Sequence, residues 1–197
     1  VQRLVDEYET HDEEPEPEPI FPTAAVGKMA VHFSSDTPEH YTPKEIVEAV
    51  IECFGTIDLD PCSNSKETPN VPATTHYTID DDGLAQHWHG KVYMNPPYGR
   101  EIGQWVQKFL ESYLYGDVTE AIALVPARPD TQWWKQLNEA YPLLCFVEGR
   151  LRFVNNDDPA PFPSAVIYLG HRGGDFWGVF QPLGETYQRL HPFMIGT

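Results

Sequence analysis

Residues 91–100 read KVYMNPPYGR, and the way the first four give way to the next four decides the fold. Lys91, Val92, Tyr93 and Met94 have the make-up of a strand, and Asn95, Pro96, Pro97 and Tyr98 follow without a break. Two adjacent prolines fix their own φ angles and remove two backbone donors, so sheet pairing stops there. The stretch predicts a strand that runs straight into a rigid turn, with an amide before the turn and a phenol after it.

Downstream, EIGQWVQKFLESYLYG (101–116) predicts a helix with Ile102, Trp105, Val106 and Phe109 on one face. EAIALVP (120–126) reads as a fully buried strand and TQWWKQLNEA (131–140) as a helix. LLCFVE (143–148) and SAVIYLG (164–170) are further strands, GRLRFVNNDDPAPFP (149–163) lies between them, and DFWGVF (175–180) is the expected last strand. Upstream, TPKEIVEAVIECFG (42–55) has Thr42 as N-cap, Pro43 at N1 and Glu45 at N3, with Gly55 closing the helix. TIDLDP (56–61) is a short strand, and 62–82 is polar, broken by Pro69 and Pro72, and mostly loop. Alternating strands and helices predict an α/β domain with a doubly wound, mainly parallel sheet of Rossmann-like type and helices on both faces. Ligands bind such sheets at the carboxyl ends of the strands, so the ends DLDP and NPPY should open onto one crevice.

At 197 residues and 41% hydrophobic, the chain supports one such domain with a real core, not two. No apolar run approaches the roughly 20 residues of a membrane span. VQRLVDEYET (1–10) is acidic where a signal peptide is basic and then apolar. The three cysteines, Cys53, Cys62 and Cys145, are widely spaced and odd in number, which fits a reducing compartment. A cytoplasmic protein is the expectation.

The net charge is -17, and residues 1–19 contribute -7 of it through eight acids against Arg3. The run EEPEPEP (13–19) is Pro-rich and self-repelling, so 1–33 is expected to be an acidic tail and connector, largely disordered, with the folded domain over 34–197. Such a tail either solvates the protein or mimics nucleic acid and competes for the chain's own basic surface. Any polyanion partner then needs a local basic patch.

The chemistry lies in the turn. The side-chain carbonyl of Asn95 and the main-chain carbonyl of Pro96 are two acceptors on a stiff frame, able to grip both hydrogens of a planar NH₂ group. Tyr98 adds a flat face for stacking. An aromatic amine is a poor nucleophile because its lone pair is delocalised into the ring. Accepting both N–H bonds favours a pyramidal nitrogen and stabilises the positive charge that grows as it attacks, with no strong base required.

These residues resemble the catalytic motif of amino-methyltransferases. YTPKEIVEAV (41–50) resembles that group's N-terminal cofactor segment, and DLDPCSN (58–64) stands where it has the first cofactor strand and acidic loop. DDGLAQHWHGKVYMNPPYG (81–99), with GRLRF (149–153) and PFPSAVIYL (161–169), resembles the phage-type (Dam-like) DNA N6-adenine methyltransferases. The likeness runs from about residue 34 to about 170. It implies S-adenosylmethionine as cofactor, DNA as partner and a phage or prophage origin. Asn95, Pro96, Pro97 and Tyr98 would be catalytic, and Thr42, Pro43, Asp58, Asp60, Pro61 and Asp82 would bind the cofactor, Asp82 by accepting from its adenine amine. The target adenine would leave the base stack and lie on Tyr98, with Phe153 as second wall. Arg100, Arg128, Arg150 and Arg152 are the candidate phosphate contacts.

Plainer roles stand beside these. Asp58 and Asp60 suit turn caps, and Thr42 and Pro43 a simple helix start. No G-x-G loop follows DLDP, where Ser63 and Asn64 stand instead, and the twenty or so residues to Asp82 hardly hold a strand with a ribose-binding acid. No separate target-recognition segment fits before NPPY, so recognition is minimal or relies on a partner subunit. His87-Trp88-His89 lacks the further ligands of a metal site. RNA adenine, a glutamine amide, or a non-catalytic acidic binding module are the rival readings.

Overall fold

The computed structural model describes residues 40–140 and 142–189. The acidic run 1–33 lies outside them. Helix α1 (Lys44–Phe54) buries Ile46, Val47, Val50 and Phe54, and its chain reverses at Gly55, whose φ of 78° suits glycine. Its start differs from the sequence reading by one residue. Pro43 is the N-cap and no side chain caps the helix, so the Thr42 hydroxyl is released for another use.

The strands are β1 (Ile57–Asp60), β2 (Ala73–His76), β3 (His89–Met94), β4 (Asp117–Pro126), β5 (Leu143–Val147), β6 (Ser164–Leu169) and β7 (Gly184–Gln188). Among the described residues the remaining helices are α2 (Ile102–Tyr115), α3 (Gln132–Glu139) and α4 (Gly173–Phe180). All seven strands form one sheet in the order β2-β1-β3-β4-β6-β5-β7. Pairs β1–β2, β1–β3 and β3–β4 are parallel, whereas β4–β6, β5–β6 and β5–β7 are antiparallel. The sheet is therefore mixed, a correction to the mainly parallel expectation. Its cause is the segment 149–163, which holds no helix to carry the chain back across a face, so β6 returns antiparallel beside β5.

Strand alternation divides the core in two. Tyr93, Ile122 and Leu124 face one layer with α1 and α4, while Val92, Met94, Ala123 and Val125 face the other with α2 and α3. Helices cover both faces of the sheet.

DFWGVF is helical and not the last strand. Phe176 and Phe180 stand four residues apart, so a helix puts both rings on one face, where they stack at 4.5 Å and Phe176 stacks on Tyr168 at 5.1 Å. The buried Glu120 carboxylate accepts from Tyr168 Oη at 2.9 Å and from Arg172 Nε at 3.0 Å, pinning the start of this helix to β4. The last strand is the polar edge strand β7.

The chain leaves β1 for β2 on one side and returns as β3 on the other. That reversal of strand order opens a crevice beyond the carboxyl ends of β1 and β3. Asp60 ends β1 and Asn95 follows β3.

Candidate active site

One cavity occupies this crevice, and both strand ends line it, through Asp60 and Pro61 on one side and Asn95, Pro96 and Pro97 on the other. Thr42 and Asp82 line it too. The Asn95 amide is held from the segment before α1. Its Nδ2 donates to the His40 carbonyl at 2.5 Å and to Thr42 Oγ1 at 3.0 Å. Thr42 Oγ1 is in turn 3.0 Å from the buried Tyr93 hydroxyl. The remaining polar atom, Asn95 Oδ1, is buried with no hydrogen-bond partner among the described residues. A buried acceptor without a partner is costly, and a ligand donor is a common remedy.

The acids separate by environment. Asp60 is buried, and its carboxylate accepts the Cys62 N–H at 3.1 Å. Burial pushes its carboxyl up to about 7, against the pull of that N–H and of the Ser63 hydroxyl. Asp58 does not reach the cavity. Its Oδ2 accepts the Lys91 N–H at 2.8 Å, tying β1 to β3, and Gly90 is small because a Cβ there would lie 2.3 Å from that oxygen. Asp81 closes a capping box with Thr78 and pairs with Lys66 at 2.6 Å, and the Lys66 ammonium holds its carboxyl down to about 2. Asp82, left-handed at φ 52°, is the acid of 80–82 that lines the cavity. Pro43 spends its carbonyl on the Ile46 and Val47 N–H groups at the start of α1 and is not part of the lining.

Tyr98 and Phe153 do not form an open slot. Their rings meet edge to face at 5.9 Å, and the His40 imidazole packs on both, at 4.9 Å and 4.6 Å. Phe153 is buried, and Tyr98 Oη donates to the Leu124 carbonyl at 3.2 Å. Burial keeps His40 below the usual imidazole range, so the ring is neutral near pH 7. A base lying between the two rings has to take the place of that imidazole.

The four arginines share an edge. Arg100 follows β3, Arg128 follows β4, and Arg150 and Arg152 follow β5, strands that all run the same way through the sheet. Each therefore lies on a segment that leaves the carboxyl edge of the sheet, and none of them lines the cavity. Arg150 and Arg152 are exposed, and Arg152 Nη1 donates to the Asp157 carbonyl at 2.9 Å.

His87 and His89 stack on each other, both exposed, and His87 pairs with Asp117 at 3.0 Å. Among the described residues no group of three His, Cys, Asp or Glu side chains is placed to hold a metal. Trp134 is buried against Phe146. Burial pushes the Cys53 and Cys145 thiols up to about 11, so neither is a ready nucleophile. The sequence reading missed Tyr93, His40 and Ile79. Tyr93 was findable, because it stands two residues before Asn95 and so shares its face of the strand. Ile79, 86% exposed at the cavity rim, carries no signal within a polar loop.

A family model described as DNA N-6-adenine-methyltransferase (Dam) matches residues 34–164, more than half of the chain. No match is found among curated proteins.

Proposed function

Because the chain belongs to the DNA N-6-adenine-methyltransferase (Dam) family, we propose that it methylates N6 of a flipped adenine in DNA, with S-adenosylmethionine as donor and Asn95 and Pro96 as the amine-holding pair. Membership implies DNA adenine N6-methyltransferase activity. The observation that carries the finer reading is the unpartnered Asn95 Oδ1 beside the cavity. When bound, S-adenosylmethionine supplies an electrophilic methyl group on a sulfonium.

The lining suits such a molecule. Asp60 at the end of β1 is a carboxylate for the cationic methionine part, and Asp82 is an acceptor for an adenine amine, with exposed Ile79 offering an apolar face beside it. The chain's own work is on the target. Asn95 Oδ1 and the Pro96 carbonyl accept the two N6 hydrogens, draw the nitrogen toward a pyramidal shape and stabilise its growing charge. The N6 proton leaves to solvent after transfer. Tyr98 is the stacking platform, and the His40 imidazole holds that place until a base takes it. Arg100, Arg128, Arg150 and Arg152 hold phosphates and carry no sequence information, so recognition is minimal or comes from a partner subunit.

Incubation with methyl-labelled S-adenosylmethionine and separate arms of DNA, RNA and protein tests this. Label in DNA as N6-methyladenine is the expected result. Label in RNA alone or in glutamine alone moves the substrate, and no label from a protein that binds the cofactor makes it an idle binding module.

A further inference from the structure

Asn95 is useful only one way round. An amide group has nearly the same shape when flipped, so nothing in the fold of β3 alone decides whether Oδ1 or Nδ2 faces a substrate amine. We propose that Thr42 and Tyr93, with the His40 carbonyl, are positioning groups that lock the Asn95 amide with Oδ1 left as the free acceptor. This rests on the reading above that Asn95 grips the target amine.

The flipped amide would set Oδ1 against the His40 carbonyl oxygen, where Nδ2 now lies at 2.5 Å, and two acceptors at that distance repel. It would also leave Nδ2 as a buried donor with no acceptor. The second lock is subtler, because the Thr42 hydroxyl both donates and accepts and by itself would tolerate either orientation. Its sense is coupled to the Tyr93 hydroxyl, 3.0 Å away, where either oxygen can be the donor. When Thr42 gives its hydrogen to Tyr93 Oη, only lone pairs remain to meet the Asn95 Nδ2 at 3.0 Å. Tyr93 is fully buried and Thr42 only 2% exposed, so the pair is sheltered from competing water. Its position follows from the strand: Tyr93 and Asn95 share a face of the chain, and Thr42 enters between them from the segment before α1. Burial also drives the Tyr93 phenol far above its ordinary range, so it remains a neutral hydroxyl throughout.

The test uses Thr42→Val, which keeps shape and removes the hydroxyl, Thr42→Ser, which restores it, and Tyr93→Phe. In single-turnover methylation of DNA, Thr42→Val is expected to slow transfer roughly tenfold to a hundredfold, since one lock on a transition-state contact is lost. Thr42→Ser should recover to within about threefold of wild type, and Tyr93→Phe should add nothing further in the Thr42→Val background. A side-chain readout needs no substrate. In nuclear magnetic resonance spectra the two Asn95 Nδ2 protons should exchange slowly in wild type, and one should lose protection in Thr42→Val while β3 backbone amides keep theirs.

If wild type transfers no methyl group to any substrate, the functional reading fails, yet the amide spectrum still tests the lock. If wild type is active while Thr42→Val matches it in rate and in amide protection, the lock is wrong. Full additivity of Thr42→Val and Tyr93→Phe would also overturn it. Should Thr42→Val fail to fold, Tyr93→Phe alone decides by the same amide signal.

Discussion

Burial at the end of β1 keeps the Asp60 carboxyl protonated until about pH 7, whereas the unfolded chain ionises it near 3.9. Between those values the folded state holds a proton that the unfolded state has lost, so this group makes the protein less stable as pH rises from about 4 to 7. His40 works in the opposite direction below about pH 6.5, because its buried ring resists the proton that the unfolded imidazole takes up. Comparison with Asp60→Asn isolates the carboxyl: wild type should lose melting temperature relative to the variant as pH rises from 4.5 to 7.5. A constant difference across that range would refute the assignment. If Asp60 meets a cationic cofactor as proposed, binding would reverse the preference, since it needs the carboxylate. Affinity by calorimetry should climb through pH 7 in wild type and stay weak and flat in Asp60→Asn. On the proposed mechanism the demand at Asn95 falls on the transition state instead. Asn95→Ala should cut single-turnover methylation by about a hundredfold or more while cofactor affinity, read by calorimetry, stays close to wild type.

At the scale of elements, the turn after β3 is readable because two prolines admit no alternative, and α1 and α2 because their apolar spacing is long and regular. Edge strands are not. Neither β2, with the sequence ATTH, nor β7, with GETYQ, has the apolar alternation of a buried strand, since each pairs on one side only. Six residues, DFWGVF, fit a strand as well as a helix until Tyr168 supplies a partner for Phe176. Strand direction is likewise absent from local sequence, which is why the antiparallel half of the sheet was invisible. The site was legible in part: Thr42, Asp60, Asp82 and Asn95 all reach the cavity, whereas Asp58 is spent inside the sheet. The loop that presents Asp82 depends on Gly83, where a Cβ would lie 2.2 Å from the Pro61 carbonyl oxygen, and the Trp88 indole locks the same residue by donating to its carbonyl at 2.8 Å. Gly83→Ala must push this loop off Pro61. Cofactor affinity should fall at least tenfold, and isothermal calorimetry showing unchanged binding would mean that Asp82 and its loop lie outside the cofactor site.

For the whole molecule the question is how a chain of net charge -17 approaches a polyanion. Topology offers one answer: Arg100, Arg128, Arg150 and Arg152 stand on the segments that follow β3, β4 and β5, as Asn95 follows β3, while the acids of 1–19 belong to a separate run of sequence. That run can compete with DNA for the arginines, or merely solvate the protein. Deleting residues 1–19 removes seven net negative charges and distinguishes the two. Under competition, the truncated protein should bind DNA more tightly than the full chain, most of all at low salt, because the screening length shrinks to about 10 Å near 0.1 M ionic strength. DNA affinity itself falls with salt in both proteins through counterion release. The informative quantity is therefore the ratio of truncated to full-length affinity, measured across a salt series. A ratio that starts above one and decays with salt assigns the acidic run to the arginine edge, and a ratio near one at every salt concentration leaves that edge open to DNA from the start.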